Sequence, residues 1–175
     1  MKSIVIYKSI SGFTQKYAQW IAQDLNADLF AISELKGKSL IDYDTIIFGG
    51  SLHAVGINGI DVIKSQLIRL KNKKVIVFAV GASPFSPAVF TEVLNKNFSQ
   101  EQQADIRFFY FRGGFDYSKL DFKNKVLMTL LKWKIMSSKK KTAEEEGMLA
   151  AYSKPFDEVK RENLKELLAY AKCID

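Results

Sequence analysis

The 175-residue chain contains one cysteine, Cys173, and one histidine, His53, and these low counts limit its chemistry. One cysteine cannot form a disulfide within the chain, and one histidine leaves the usual histidine and cysteine sets for zinc incomplete. We therefore expect no structural zinc and no serine-histidine triad, whereas a metal site made of carboxylates stays open. Because no histidine or second cysteine lies beside Cys173 in the sequence, we expect it to pack rather than to carry redox chemistry.

Long apolar segments and linkers are also missing. No segment approaches the roughly 20 apolar residues of a membrane span, and the first apolar run, residues 4–7, is too short for a signal peptide. The chain has three prolines and is 47% hydrophobic, which is enough for one well-filled core. We therefore expect a single domain over residues 1–175 in the cytoplasm.

The net charge is +7, but the excess of positive charge is confined to one segment. From Lys119 to Lys141 the chain has eight lysines and one acid, Asp121, whereas the other residues include 18 basic and 18 acidic side chains. A basic surface attracts nucleic acid. Because the body of this chain is neutral, the charge pattern argues against specific nucleic-acid binding and marks one basic segment.

Runs of β-branched and aromatic residues alternate with segments of helical period, which is typical of a parallel sheet with helices on both faces. Strands are predicted at residues 3–7, 27–32, 45–49, 74–80 and 106–111. Helices are predicted at residues 14–26, 57–70, 87–98 and 154–173, the last with Pro155 near its first turn. Right-handed crossovers make this a doubly wound α/β sheet, and five strands favour the order 2-1-3-4-5.

Hydroxyl side chains follow the first predicted strand, in the stretch IVIYKSISGFT at residues 4–14. Its glycine allows a tight turn, its hydroxyls can donate to phosphate oxygens, and the start of the next helix attracts an anion. The alternative is that Ser11 or Thr14 only caps that helix. The loop has neither G-x-G-x-x-G nor G-x-x-x-x-G-K-[ST], so a bound phosphate would not obviously be that of NAD or ATP.

The residues V-I-Y-K-S-I-S-G-F-T followed by Ala18 resemble the signature of flavodoxins. Only Gln19 departs from it, because that position is usually aliphatic. The resemblance implies a flavodoxin-like three-layer sandwich that binds FMN. It also implies that the FMN phosphate is held by the first loop, at Ser9, Ile10, Ser11, Gly12, Phe13 and Thr14.

Two further stretches, DTIIFGGSLHAVGI and VIVFAVGASPFSP, resemble the loops that hold the flavin ring in the same family. A flavin needs flat apolar cover and close backbone, which Leu52, His53, Phe85 and the small residues could provide. His53 departs from the usual Trp or Tyr. The implied contacts are Ser51, Leu52, His53, Ala54, Gly81, Ala82, Ser83 and Phe85.

Three of these residues also have plainer interpretations. His53 can be a solvated bystander, since water or the flavin itself can transfer a proton. Phe85 can be an exposed aromatic residue of the loop, and Phe13 can hold the first helix to the core. No catalytic side chain is identified.

About forty residues, 113–153, separate the fifth strand from the final helix, far more than usual α/β connections. Within them, DFKNKVLMTLLKWKIM predicts a helix with two apolar arcs. One arc contains Phe122, Val126, Leu130 and Trp133, and the other contains Leu127, Met128, Leu131 and Ile135. Because packing needs only one arc, residues 121–141 are predicted to contact an anionic membrane, a hydrophobic substrate or a protein. The alternative is that both arcs are buried, for example in a homodimer.

The stretch FRGGFDYSKL followed by a basic helix is similar to a region of the bacterial flavodoxin-like protoporphyrinogen oxidases. That resemblance implies an FMN enzyme that passes hydrogens from a porphyrinogen to a membrane quinone, with Gly113, Tyr117 and the helix beside the substrate or quinone. Two features depart from the oxidases. Residues 81–85 lack their basic side chains, and the tail KKKTAEEEGMLAAYSKP differs from theirs.

The sequence thus leaves several functions open. The first is a flavodoxin-like FMN protein that transfers electrons to a redox partner protein or quinone, or acts as an FMN-dependent oxidoreductase. The second is a protoporphyrinogen oxidase with a quinone acceptor. The third is a cofactor-free module that contacts membrane or nucleic acid through the basic helix. A membrane-binding helix would place the protein on the inner face of the membrane.

Overall fold

The computed structural model describes residues 2–120, 122–137, 149, 152 and 154–173. It divides the chain into two compact units. The first unit comprises Met1–Gly113 and Val159–Asp175, and the second comprises Gly114–Glu158. The second unit occupies nearly the same part of the chain as the predicted insertion at 113–153. That the chain is one domain with an insertion stays a prediction.

The first unit is built on a parallel sheet with helices on both faces. Its strands are β1 (Ser3–Lys8), β2 (Asp28–Ala31), β3 (Thr45–His53), a short β4 (Gly56–Ile57), β5 (Lys74–Gly81) and β6 (Arg107–Arg112). Five of them lie parallel in the order β2-β1-β3-β5-β6, and β4 pairs antiparallel with the end of β3. The five predicted strands, their order and the fold class are confirmed.

Residues of each strand alternate between two apolar clusters, one on each face of the sheet. Ile4, Phe48 and Val77 pack on one face. Val5 and Phe78 pack on the other. Because both faces are buried, the strands are nearly continuous apolar runs, as parallel strands usually are.

The helices of the first unit are α1 (Phe13–Leu25), α2 (Asp61–Lys64), α3 (Pro87–Asn97) and α4 (Gln100–Ala104) before β6, and a final helix at Lys165–Lys172. Two helix predictions are wrong in extent. In residues 57–70, Ile57 pairs in β4 and Gly59 has a φ of 78°, so that only α2 and a 3-10 turn at Leu67–Leu70 form. The predicted helix at 154–173 begins only at Lys165, because Phe156 pairs in a short strand.

The second unit contains strands β7 (Gly114–Phe115) and β8 (Phe156–Asp157), which pair antiparallel, and helix α5 (Phe122–Ser137). The final helix of the first unit is therefore α6. The hydroxyls of Tyr117 and Thr129 lie 2.7 Å apart, and the Tyr152 hydroxyl donates to the Met128 carbonyl at 2.6 Å. These bonds hold one side of α5, and the helix predicted within residues 121–136 is confirmed.

Three further features concern Cys173, metal ligands and membrane spans. Cys173 is exposed just after α6, so the prediction that it packs is wrong. Its neighbour two residues earlier, Ala171, is the last buried residue of that helix. Within the described ranges, no group of His, Cys, Asp and Glu side chains is placed to hold a metal ion. None of the helices described is both long and apolar enough to cross a bilayer.

Candidate functional site

Three loops follow the carboxyl ends of β1, β3 and β5, which are neighbours in the sheet. In the strand register Lys8 lies opposite Gly50, and Ser51 lies opposite Val80, so the three strands end at nearly the same level. Ligands of doubly wound sheets bind outside the carboxyl ends of the strands. The fold therefore brings the three predicted loops to one end of the first unit.

The first loop leads directly into α1. Gly12 precedes the helix with a φ of 89°, a left-handed conformation that favours glycine. Its amide donates to the Ser9 hydroxyl oxygen at 3.1 Å, which closes the turn. The N-cap residue of α1 is Gly12, which has no side chain, so the interpretation in which Ser11 or Thr14 is the helix cap is wrong. The first amides of a helix have no acceptor within it, so those of Thr14 and Gln15 can bind a ligand.

Thr14 provides the observation that best identifies the first loop as a binding site. Its side chain is 1% exposed, and its hydroxyl has no hydrogen-bond partner among the described residues. A buried hydroxyl without a partner costs about 1–3 kcal/mol. This hydroxyl belongs to the first turn of α1, where backbone amides and the helix dipole favour an anion. A buried hydroxyl without a partner in the described part of the chain, at the start of a helix, fits a phosphate group.

The rest of the first loop is accessible. Ser9, Ile10 and Ser11 are half-buried and Gly12 is exposed. A Cβ built at Gly12 would have no other atom within 4 Å, so the backbone there faces open space. Phe13, in contrast, is buried in the apolar cluster that contains α1, as expected if it holds the helix to the core.

The second loop is a two-residue hairpin turn between β3 and β4, closed by pairing of His53 with Gly56. Ser51 and Leu52 are half-buried, and His53 and Ala54 are exposed. Ala54 has a φ of 51°, which is uncommon for a residue with a Cβ. The backbone of this turn therefore adopts a conformation that its own sequence does not favour.

Asn58 holds the start of the same hairpin. Its side-chain amide donates to the Ser51 carbonyl at 2.9 Å and to the Ser51 hydroxyl oxygen at 3.1 Å. Its backbone amide donates to the same carbonyl at 3.0 Å. Asn58 thus fixes Ser51, one of the predicted flavin contacts.

The third loop follows β5 and is held by a tyrosine of β6. The Tyr110 hydroxyl donates to the Ser83 carbonyl at 2.7 Å. Gly81 is buried, and a Cβ there would lie 2.5 Å from the Tyr110 hydroxyl oxygen. The close approach of Tyr110 to the third loop therefore requires glycine at this position. Ala82, Ser83 and Phe85 are exposed. The Phe85 ring is 61% exposed, although its centroid is 6.3 Å from that of Tyr110.

Sequence reasoning missed three residues that shape the loops, Asn58, Asn97 and Tyr110. Asn97 lies on the buried side of α3, four residues after buried Val93, and a polar residue in such an apolar stripe is a signal that could have revealed it. Tyr110 is the one hydroxyl-bearing residue in the strand RFFYFR, which is a weaker signal. Asn58 sits in a turn, where asparagine is common without any such role.

Tyr110 gives a pH-dependent prediction. Burial raises the pKa of Tyr110 to about 12, against a smaller opposing effect of the positive charge of Arg112. An unfolded tyrosine ionises near pH 10, so its contribution to stability is complete below pH 10 and is lost as the pH rises to about 12. Because phenylalanine does not ionise, we expect the free energy of unfolding of Tyr110→Phe to fall less than that of the wild type between pH 10 and 12. Urea unfolding of both proteins between pH 9 and 12 measures it. Parallel pH profiles would contradict the expectation.

The chain belongs to the flavodoxin domain family, whose model matches residues 4–144. This membership confirms the family and the FMN cofactor that the resemblance to flavodoxins implied. A relative of uncharacterized function from Methanocaldococcus jannaschii is 33% identical over 96 residues. The aligned part covers 54% of this chain and 63% of that relative, so the chain spans less than two thirds of the relative's length.

Solved structures with a similar chain include the flavodoxin, WrbA-like protein of Agrobacterium tumefaciens. It has a TM-score of 0.48 and 23% identity, over 61% of this chain and 74% of that one. The Trp repressor binding protein of Bacillus subtilis has a TM-score of 0.47 and 17% identity, over 64% and 83%. A flavoprotein of Lactobacillus acidophilus, solved in complex with FMN, has a TM-score of 0.40 and 17% identity, over 63% and 91%.

Proposed function

We propose that the protein is an FMN-dependent redox protein that accepts electrons at the carboxyl end of its sheet and passes them on. The observation that carries the proposal is the buried hydroxyl of Thr14, which lies in the first turn of α1 and has no partner among the described residues. Family membership supports FMN as the group that uses it. When bound, FMN supplies the one- and two-electron chemistry of its flavin ring.

The side chains and backbone of the three loops would hold this cofactor. Ser9, Ser11 and Thr14 offer hydroxyls, and the start of α1 offers amides, to the phosphate. The second and third loops, at residues 51–54 and 81–85, would lie along the flavin ring, with Leu52 and Phe85 as apolar cover. Because Asn58 and Tyr110 fix the backbone of these loops, the site is held before the cofactor enters.

The visible spectrum of the purified protein tests this function. We expect flavin absorption bands, or their appearance on addition of FMN to the apoprotein, and reversible bleaching on anaerobic photoreduction. A colourless protein that does not take up FMN would refute the proposal and would favour the cofactor-free binding module.

A second proposal concerns α5 of the second unit, which we propose binds an anionic membrane. Phe122, Leu130 and Trp133 belong to one apolar arc and are 81%, 58% and 67% exposed. They line a cavity of about 330 Å³ together with the cation Lys125. Aromatic and aliphatic side chains enter the lipid interface, and flanking lysines attract anionic headgroups. The opposite arc contains buried Ile135 as well as Leu127, which is 43% exposed, so the first arc is the more exposed of the two and the one proposed to meet a lipid surface. Lys139, Lys140 and Lys141 lie outside the described residues.

Substitution of Leu130 with glutamate is expected to weaken binding to vesicles that contain phosphatidylglycerol at least tenfold. The change removes apolar area that the membrane would bury and adds a negative charge that the anionic headgroups repel. Ile68→Glu is the matched control, because Ile68 is 82% exposed in the first unit and is not part of α5. Sedimentation with vesicles measures binding. Equal loss in both variants, or no loss in Leu130→Glu, would contradict the proposal, as would a concentration-dependent dimer that buries the arc instead.

The alternative reaction, oxidation of a porphyrinogen with a quinone acceptor, is supported by one contact in the first unit. The Gly113 amide donates to the Gly81 carbonyl at 2.7 Å, so the segment that resembles the oxidases begins at the third loop. Tyr117, which belongs to the second unit, is bonded to Thr129. Anaerobic incubation of the FMN-loaded protein with protoporphyrinogen and menaquinone tests this reaction. Porphyrin fluorescence no faster than in the uncatalysed control would leave electron transfer as the function.

A further inference from the structure

Asn97 is a buried polar residue that lies outside the three loops. It ends α3, is 6% exposed, and uses every hydrogen-bonding group of its side chain. Its Nδ2 donates to the Val55 carbonyl at 2.8 Å and to the Val93 carbonyl of its own helix at 2.7 Å. Its Oδ1 accepts from the Ile57 amide at 2.9 Å. Two of these three bonds go to the hairpin between β3 and β4.

These two bonds determine how the peptide groups of the hairpin turn are oriented. The Val55 carbonyl and the Gly56 amide share one planar trans peptide, so they point in opposite directions. Asn97 holds the Val55 carbonyl, and Gly56 pairs with His53 across the hairpin, so this peptide is held from both sides. The preceding residue, Ala54, has a φ of 51°, which costs an L-residue roughly 1–2 kcal/mol. Asn97 therefore stabilises a turn that the sequence of the turn alone disfavours.

We propose that Asn97 is a positioning residue that tunes the relative affinity of the site for oxidised and reduced FMN by fixing the Val55–Gly56 peptide. The proposal rests on the FMN function proposed above. Asn97 acts through the turn, which belongs to the loop that would lie along the flavin. The protein controls the electronics of a bound flavin through the hydrogen bonds and dipoles around its ring. A peptide dipole held in one direction favours one oxidation state over the other.

Asn97→Asp tests this role because it keeps the size of the side chain. An ionised carboxylate still accepts from the Ile57 amide but cannot donate to the Val55 carbonyl, whereas a protonated carboxyl regains one donor. Burial raises the pKa of such a carboxyl, so the proton is lost at a pH above that of an exposed aspartate. We expect the ratio of the dissociation constants of oxidised and reduced FMN to match the wild type at low pH and to depart from it about tenfold at high pH.

Asn95→Asp is the matched control, because Asn95 is an exposed asparagine of the same helix. Its ratio is expected to follow the wild type at every pH. A third variant, Asn97→Ser, adds no charge and shortens the side chain, and its ratio should shift in the same direction as that of ionised Asn97→Asp. If the two Asn97 variants bind both oxidation states as Asn95→Asp does, the proposal is wrong and Asn97 has only a structural role.

A measurement on the wild-type protein covers the case in which the Asn97 variants do not fold. We expect the NMR signals of the Asn97 side-chain amide to shift between FMN-loaded oxidised and reduced protein, and those of Asn95 to stay in place. An unchanged Asn97 signal would overturn the proposal. Failure of the proposed function looks different, since the wild type would then bind no FMN in either state.

Discussion

Replacement of Thr14 with valine is expected to weaken FMN binding about tenfold or more and to leave the apoprotein as stable as the wild type or more stable. The hydroxyl of Thr14 is buried and has no partner among the described residues, so an isosteric methyl group removes a desolvation cost of about 1–3 kcal/mol. A hydrogen bond to a charged group such as a phosphate contributes about 1.5–3 kcal/mol, which corresponds to the expected loss of affinity. Titration with FMN and urea unfolding of the apoprotein measure the two effects.

Thr45→Val is the matched control for this prediction. Thr45 is also fully buried with a hydroxyl that has no partner in the described part of the chain, but it lies at the amino end of β3. Its replacement is expected to affect the stability of the apoprotein in the same direction and to leave FMN affinity unchanged. Equal FMN affinity in Thr14→Val and Thr45→Val would show that Thr14 does not contact the phosphate.

Gly50→Ala is expected to lower the free energy of unfolding by about 2–3 kcal/mol and to weaken FMN binding. A Cβ at this position would lie 2.3 Å from Cγ2 of Ile57 and 2.9 Å from the backbone oxygen of Asn58. Ile57 is buried and cannot move far, so the β4 turn must shift. That shift would displace Asn58 from Ser51 and change the second loop. Urea unfolding of the apoprotein and FMN titration measure both consequences.

Gly56→Ala is the control in the same hairpin. The nearest atom to a Cβ at Gly56 would be the His53 carbonyl oxygen at 3.5 Å, an ordinary contact, so we expect a change within about 0.5 kcal/mol. If Gly50→Ala were as stable as Gly56→Ala, the packing of β4 against the end of β3 would be looser than the structure shows.

The sheet could be predicted because each of its central strands is recognisable from its own residues. Both faces of β1, β3 and β5 are buried, so each strand is a compact apolar run that differs from the helices beside it. The first loop also has a local signal, a glycine and three hydroxyls where strand gives way to helix, and its role as a phosphate site stays a prediction. Where the signal is local and continuous in the sequence, the prediction agreed with the structure.

The errors arose where a contact with residues outside the segment decides its local structure. Residues 57–70 have a helical period, but pairing of Ile57 with Leu52 converts their start into a strand. Phe156 pairs with Phe115, some forty residues earlier, so the final helix begins later in the chain than its sequence pattern predicts. The alternative in which Ser11 or Thr14 caps α1 follows general residue preference, whereas the N-cap in the structure is Gly12.

The candidate site was predictable in its loops but not in the residues that support them. Asn97 and Tyr110 reach the hairpin and the third loop from α3 and β6, which lie tens of residues away in the sequence. The sequence of a loop does not indicate which side chain elsewhere in the chain will donate to its backbone carbonyls. The reaction is harder to predict than the site. The residues that would select a substrate or acceptor are placed in the second unit only by the resemblance to the oxidases and by the exposed arc of α5.

A comparison of the affinities of FMN and riboflavin for the wild-type apoprotein tests the central claim most directly. Riboflavin has the same ring but no phosphate, so it lacks the group that would use the Thr14 hydroxyl and the start of α1. We expect FMN to bind at least a hundredfold more tightly, since several charge-assisted hydrogen bonds of about 1.5–3 kcal/mol each depend on the phosphate. Equal affinity for the two flavins, or binding of neither, would contradict the assignment of the first loop as a phosphate site.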